Sequence, residues 1–186
     1  MGTDTAIGVK PGIVTRMSGP VFEVLRILVV EDNQHMRSLL RSLLNSIGIR
    51  EVHEASNGAA ALDVLREKSC DLVLSDLAMQ PMDGIDFTRE VRLSPRSANP
   101  FLPIIMVTGH TERHKVEAAR DAGVTEFIAK PITAQSLFAR IAEIVDRPRP
   151  FVRCPGYFGP DRRRKAIENY VGPWRRHDDF KDVVVR

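Results

Sequence analysis

Apolar and polar positions alternate in blocks along the chain. Residues 27–30 are four apolar residues closed by two acids, Glu31 and Asp32. A short β-branched run with polar borders predicts a strand buried on both faces. The period then changes. Met36, Leu39, Leu40, Leu43, Leu44 and Ile47 recur at i, i+3, i+4, i+7, i+8 and i+11, one face of an α-helix, and Gly48 is a good stop. The alternation repeats. Residues 51–55 predict a strand, and 57–69 a helix opened by Ser56 or Asn57 as its cap. Residues 71–76 predict a strand, and 84–93 a helix with Phe87 and Val91 four apart. A loop with three prolines at 94–103 precedes a strand at 103–109, a helix at 111–123 and a strand at 124–129. A last helix, 133–146, is buried through Leu137, Ile141, Ile144 and Val145.

Five strands and five helices in strict alternation, with short connections, predict an α/β fold: a parallel sheet covered by helices on both faces. Residues 1–25 have scattered Gly and Pro without a period and predict a flexible arm. Pro148 and Pro150 mark the end of the alternating region near Asp146. The organisation expected is therefore an arm (1–25), a domain (26–146) and an irregular C-terminal extension (147–186).

Composition and terminal pattern add further exclusions. With 43% hydrophobic and 27% charged residues the chain has a globular composition. No apolar run approaches the roughly 20 residues that span a bilayer, and the N-terminus lacks the features of a signal peptide. The myristoylation pattern fails at Ala6. A cytoplasmic location is the expectation. Two cysteines, Cys70 and Cys154, are too few for a disulfide framework or a zinc site. Charge is uneven: residues 147–186 hold eleven Lys and Arg against five Asp and Glu, or +6, so a chain of net +3 leaves −3 for residues 1–146.

Chemistry gathers at the carboxyl ends of the predicted strands. The first ends in Glu31-Asp32, the third in Asp76, the fourth in Thr108, and the fifth is followed by Lys130. Ligands of open parallel sheets bind outside those ends. Singly, each residue has a plainer reading: an acid after a strand as a helix cap, a threonine likewise, a Lys-Pro pair as a loop. Asp76 resists it, since Asp is a poor strand former and its run reads as buried.

The stretches "ILVVEDN", "DLVLSDLAMQPMDG", "VTGH" and "FIAKPI" resemble the receiver domain of two-component response regulators, the CheY-like family, over roughly residues 26–146. The resemblance implies a flavodoxin-like, doubly wound five-stranded parallel sheet of order 2-1-3-4-5 with five helices. It implies Asp76 as phosphoacceptor and Glu31 and Asp32 as an acidic pocket. It implies Thr108 and Lys130 as the groups that contact the phosphoryl group, and Phe127 as the switch aromatic. The implied cofactor is Mg²⁺, on Asp32, Asp76 and the backbone carbonyl of Ala78, with Glu31 reaching it through water. The implied partners are a sensor histidine kinase or a histidine phosphotransfer protein, and a downstream protein target; a homodimer is admitted. The protein would be a switch and not an enzyme, with at most autophosphatase activity.

Chemistry agrees with the transfer. A carboxylate attacks a phosphoryl group best when a metal neutralises the approaching charge, and Mg²⁺ takes oxygen ligands and keeps waters. Two positions depart from the family pattern. The loop runs Met79-Gln80-Pro81, with Pro one place late, and the second residue after Asp76 is Ala78, which has no polar side chain. The latter weighs against a phosphatase of the haloacid dehalogenase type, which needs a second Asp there. A helix-turn-helix output domain does not fit in the 40 residues after Asp146. Direct nucleic-acid binding by the basic tail, with Tyr157 and Trp174 stacking on bases, is the weaker alternative. Phe151, Val152, Tyr157, Phe158, Tyr170, Val171 and Trp174 of the tail are interspersed with Gly and Pro. That is a contact-surface composition and predicts an element that docks on its own domain, a second copy or a downstream protein.

Overall fold

The computed structural model describes residues 20–109, 113–162 and 182–184. Five parallel strands form the central sheet: β1 (Arg26–Val30), β2 (Glu51–Ala55), β3 (Leu72–Asp76), β4 (Ile104–Thr108) and β5 (Glu126–Ala129), in the order β2-β1-β3-β4-β5. Order reverses between β1 and β3. The register sets Val30 beside Ser75, Asp76 beside Val107 and Thr108 beside Ala129, so the carboxyl ends of these strands finish level.

Helices cover both faces. After a helical turn α1 (Pro20–Glu23) come α2 (Gln34–Ser46), α3 (Gly58–Glu67), α4 (Gly84–Leu93), α5 (Arg113–Ala122) and α6 (Ala134–Asp146). One core lies under α2 and α6, with Ile27, Val29, Leu40, Leu44, Leu74, Leu137 and Ile141. The other lies under α3 and α4, with Leu28, Val30, Ala61, Val73, Phe87 and Val91. The strands β1, β3 and β4 contribute to both, which is why they read as continuous apolar runs. Capping follows local chemistry: the Asn33 carboxamide accepts from the amides of His35 and Met36, Asn57 from Ala60, Asp83 from Ile85 and Asp86, and Thr133 from Ser136.

Three features differ from the sequence expectation. Leu39, assigned to the buried face of α2, is 47% exposed; at 100° per residue it sits at the margin of the stripe. Phe22, assigned to a flexible arm, is buried and stacks on Phe138 of α6 with ring centroids 4.9 Å apart. And the C-terminal extension is not irregular where it is described. Strands β6 (Phe151–Cys154) and β7 (Tyr157–Pro160) form an antiparallel hairpin, turned by Gly156 at φ 75°, and β8 (Asp182–Val184) pairs with the other edge of β6. The hairpin packs against α4 and α5, so of the three docking modes expected for the tail, residues 151–160 take the one on their own chain. Tyr170, Val171 and Trp174 lie outside the described residues.

Candidate functional site: an acidic pocket at the strand ends

Asp76 is the last residue of β3 and is 7% exposed. Its Oδ1 lies 2.7 Å from Lys130 Nζ, and its Oδ2 accepts a 3.1 Å hydrogen bond from the Ala78 amide. The β3–α4 connection is tied by Leu77 N donating to Val107 O and Gly84 N to Leu77 O, each at 3.1 Å. Gly84 opens α4 against the end of β3; a Cβ there would stand 2.3 Å from the Asp76 carbonyl and 2.8 Å from Met106 Sδ. Only glycine allows that approach.

Glu31 follows β1 across the reversal point and is 2% exposed. Its Oε2 is 3.4 Å from Lys130 Nζ, and its Oε1 accepts from Asn33 N at 3.3 Å. Lys130 therefore bridges the two carboxylates. Burial first, and then the charge of Asp76, push Glu31 above the ordinary carboxylate range, and Lys130 and the Asn33 amide only partly offset this. For Lys130 burial acts to lower the pKa, but the hydrogen bond and charge of Asp76, helped by Glu31, outweigh it and raise the ammonium above its usual value. Lys130 N donates to Thr108 O at 2.9 Å, which locks the end of β5 to that of β4. Thr108 is 7% exposed beside Gly109, where a Cβ would meet only Lys130 Cδ at 3.7 Å. Asp32 is exposed at the rim, and it is Asn33, not Asp32, that caps α2. Phe127 is half-buried against Leu77, Met106, Ala119 and Val124.

The residues picked from strand ends thus come together as follows: Glu31, Asp76 and Lys130 are in direct contact, Thr108 adjoins through the Lys130 backbone, Asp32 sits at the rim, and Phe127 lies one layer away. Sequence reasoning missed Arg37. Its Nη1 donates to the Glu31 carbonyl at 2.6 Å and its Nε to Glu54 Oε2 at 3.3 Å, fixing the peptide that joins Glu31 to Asp32.

Comparisons with known proteins meet this geometry. Residues 27–142 match the response regulator receiver domain. The chain belongs to that family. It is similar to the chemotaxis protein CheY of Pseudomonas aeruginosa, 37% identical over 123 residues, 66% of this chain and 98% of that protein. It is also similar to chemotaxis protein CheY-3 of Vibrio cholerae, 33% identical over 66% of this chain and 93% of that protein. Among solved structures, Vibrio cholerae CheY4 aligns with a TM-score of 0.60 and 28% identity, over 64% of this chain and 98% of that one. The receiver domain of a Pseudomonas aeruginosa sensor histidine kinase, with magnesium coordinated in its active-site cleft, aligns at 0.56 and 29% identity, over 64% and 94%. Receiver domains of this kind are signalling switches of two-component systems. The hairpin lies beyond the matched residues.

Proposed function

We propose that this chain is a phosphoacceptor response regulator and that Asp76 accepts the phosphoryl group. The observation that carries it is the Asp76–Lys130–Glu31 cluster: a buried carboxylate at a strand end, held by one ammonium and one backbone amide. The step would be attack of an Asp76 carboxylate oxygen on phosphorus of a phosphohistidine carried by a sensor kinase or phosphotransfer protein. The new P–O bond forms as the P–N bond breaks, and the leaving imidazole takes a proton from solvent. Lys130 then balances the negative charge as a point cation. Thr108 would donate its hydroxyl to a phosphoryl oxygen, drawing the following segment inward, and Phe127 would turn into the space beside it. The signal would pass to a downstream protein by contact.

The donor set suits Mg²⁺. The buried carboxylates of Glu31 and Asp76 share the single cation of Lys130, so the pocket offers hard oxygen donors with negative charge left over. That suits an ion that binds through one or two carboxylates and keeps several waters. Asp32, Asp76 and the Ala78 carbonyl would hold it, with Glu31 acting through water. When bound, it would supply the charge that lets a phosphoryl group approach a carboxylate. The basic tail as a nucleic-acid surface finds no support in Tyr157, which is buried beneath Arg162.

Incubation with acetyl phosphate is expected to add one phosphoryl mass to the wild-type chain, to fail with EDTA, and to fail with Asp76→Asn. An adduct on Asp76→Asn at the wild-type level would sink the assignment. Loss of the phosphoryl group needs a water in line with phosphorus, and the exposed Ala78 methyl cannot hold one. Slow hydrolysis is expected, and Ala78→Asn is expected to change the adduct half-life. An unchanged half-life would make position 78 irrelevant to turnover.

A further inference from the structure

The hairpin sits at the end of the sheet opposite Asp76. Its neighbours are Phe101, just before β4, and Gly123 and Thr125, just before β5. Phe101, Phe151 and Phe158 form a triangle with centroids 5.0 to 5.6 Å apart. Arg92, in the last turn of α4, is 3% exposed and lies beneath it. Its Nε donates to Gly123 O at 3.0 Å, its Nη1 to Pro100 O at 2.8 Å, and its guanidinium carbon is 5.2 Å from the Phe151 centroid. Arg149 ties the hairpin stem to the Thr125 and Asp161 carbonyls, and Arg162 pairs with Asp121 of α5 at 3.0 Å. Gly123, at φ 102°, has no room for a Cβ between Arg92 and the Phe158 carbonyl, each 3.0 Å away.

Two rigid rods therefore run from the acceptor end to this dock. Helix α4 begins with Gly84 against the Asp76 carbonyl and ends with Arg92 under Phe151. Helix α5 follows the segment after Thr108, packs Ala119 on the layer of Leu77, Met106 and Phe127, and ends at Asp121–Gly123 against β7. Ten residues make each rod about 15 Å long. A dock that grips the far ends of both helices opposes any relative shift of α4 and α5. Nη2 of Arg92 and Nε of Arg162 are buried without a hydrogen-bond partner, so the grip leaves buried donors unmet, which suits an arrangement that can shift.

We infer that the C-terminal hairpin is an intramolecular clamp on the α4–α5 ends, thermodynamically coupled to the phosphorylation of Asp76. The inference rests on Asp76 being the acceptor. Movement that follows Thr108 would displace α5 and loosen the hairpin. By reciprocity, a loosened hairpin makes the phosphorylated conformation easier to reach. The extension then serves as the element that sets and reports the state of the receiver, a task its position at the far end from Asp76 allows without blocking the donor.

The test has two arms on the full chain. Hydrogen exchange of β6 and β7 amides is followed with and without acetyl phosphate and Mg²⁺, with the adduct counted by mass. Protection is expected to fall about fivefold or more on phosphorylation, the lower end of ordinary coupling strengths. In the second arm Phe151→Leu, checked for a folded spectrum, is expected to be phosphorylated faster than wild type by a similar factor, and Arg92→Lys likewise. An adduct on Asp76 with unchanged hairpin protection and unchanged variant rates overturns the coupling alone. Absence of any adduct removes the acceptor reading, and the coupling with it.

Discussion

Phe158→Ala is expected to lower stability by about 3–5 kcal/mol, the cost of truncating a buried Phe in a packed core. Phe158 is 1% exposed, meets Phe101 edge-on at 5.0 Å, and carries Arg153 over its outer face at 4.4 Å. Gly123 and Gly159 already bring backbone against backbone at this seam. For a chain of this length each kcal/mol shifts the melting temperature by about 2–4 °C, so a fall of roughly 6–20 °C is expected by calorimetry. Truncation after Asp146 should lose at least as much, because it also strips Phe151, Val152 and Tyr157, all buried, and uncovers the Arg92 guanidinium. A truncated chain that melts as the full one does would mean that the hairpin lies outside the cooperative unit. Such a loss would extend the cooperative unit past residue 146 to take in β6 and β7.

The central fold was legible because its determinants are local and periodic. Helix α4 runs from Gly84 to Leu93 as expected, since Asp83 caps it and the 94–103 loop cannot continue it. The site was legible for a topological reason: a parallel sheet delivers every strand end to one edge, so Glu31, Asp76 and Lys130 could be grouped without knowing any distance. The Arg37 bond to the Glu31 carbonyl was not, because a backbone acceptor leaves no trace in side-chain pattern. The hairpin was hidden for another reason. Its core residues come in pairs, 151–152 and 157–158, too short for a period, and their partner Phe101 lies in a proline-rich loop 50 residues earlier. Arg92 reads as a surface residue of an amphipathic helix. Only the fold turns it inward, where burial lowers its pKa and carbonyls and an aromatic ring hold the charge in place of a carboxylate.

Lys130→Met is expected to be the most damaging single change in the pocket. Removing one partner of a buried ion pair costs about 3–5 kcal/mol, because a charge is left buried without compensation. The Lys130 side chain is 27% exposed and so partly screened, which brings the expected loss to about 2–3 kcal/mol at neutral pH without added metal. The loss should depend on pH in a defined direction. In the wild type Glu31 and Lys130 are both shifted upward, so the folded state binds more protons than the unfolded one. Stability from Glu31 is full below its unfolded value near 4.5 and declines as pH rises through its folded value; that from Lys130 is full below about 10.5 and is lost above its folded value. In Lys130→Met the alkaline loss disappears, while Glu31, facing the Asp76 charge without the ammonium, makes the decline above pH 4.5 steeper. The variant should therefore approach wild-type stability as the pH falls through the carboxylate range. Adding Asp76→Asn to Lys130→Met leaves Glu31 as the one charge in the cluster and should return most of the lost stability at pH 7. Denaturant midpoints of the two single variants, the double variant and the wild type, taken at pH 5 and pH 7, measure all of these terms. A double variant as unstable as Lys130→Met would trace the loss to packing of the lysine stem, and the carboxylate repulsion would have to be abandoned as its cause.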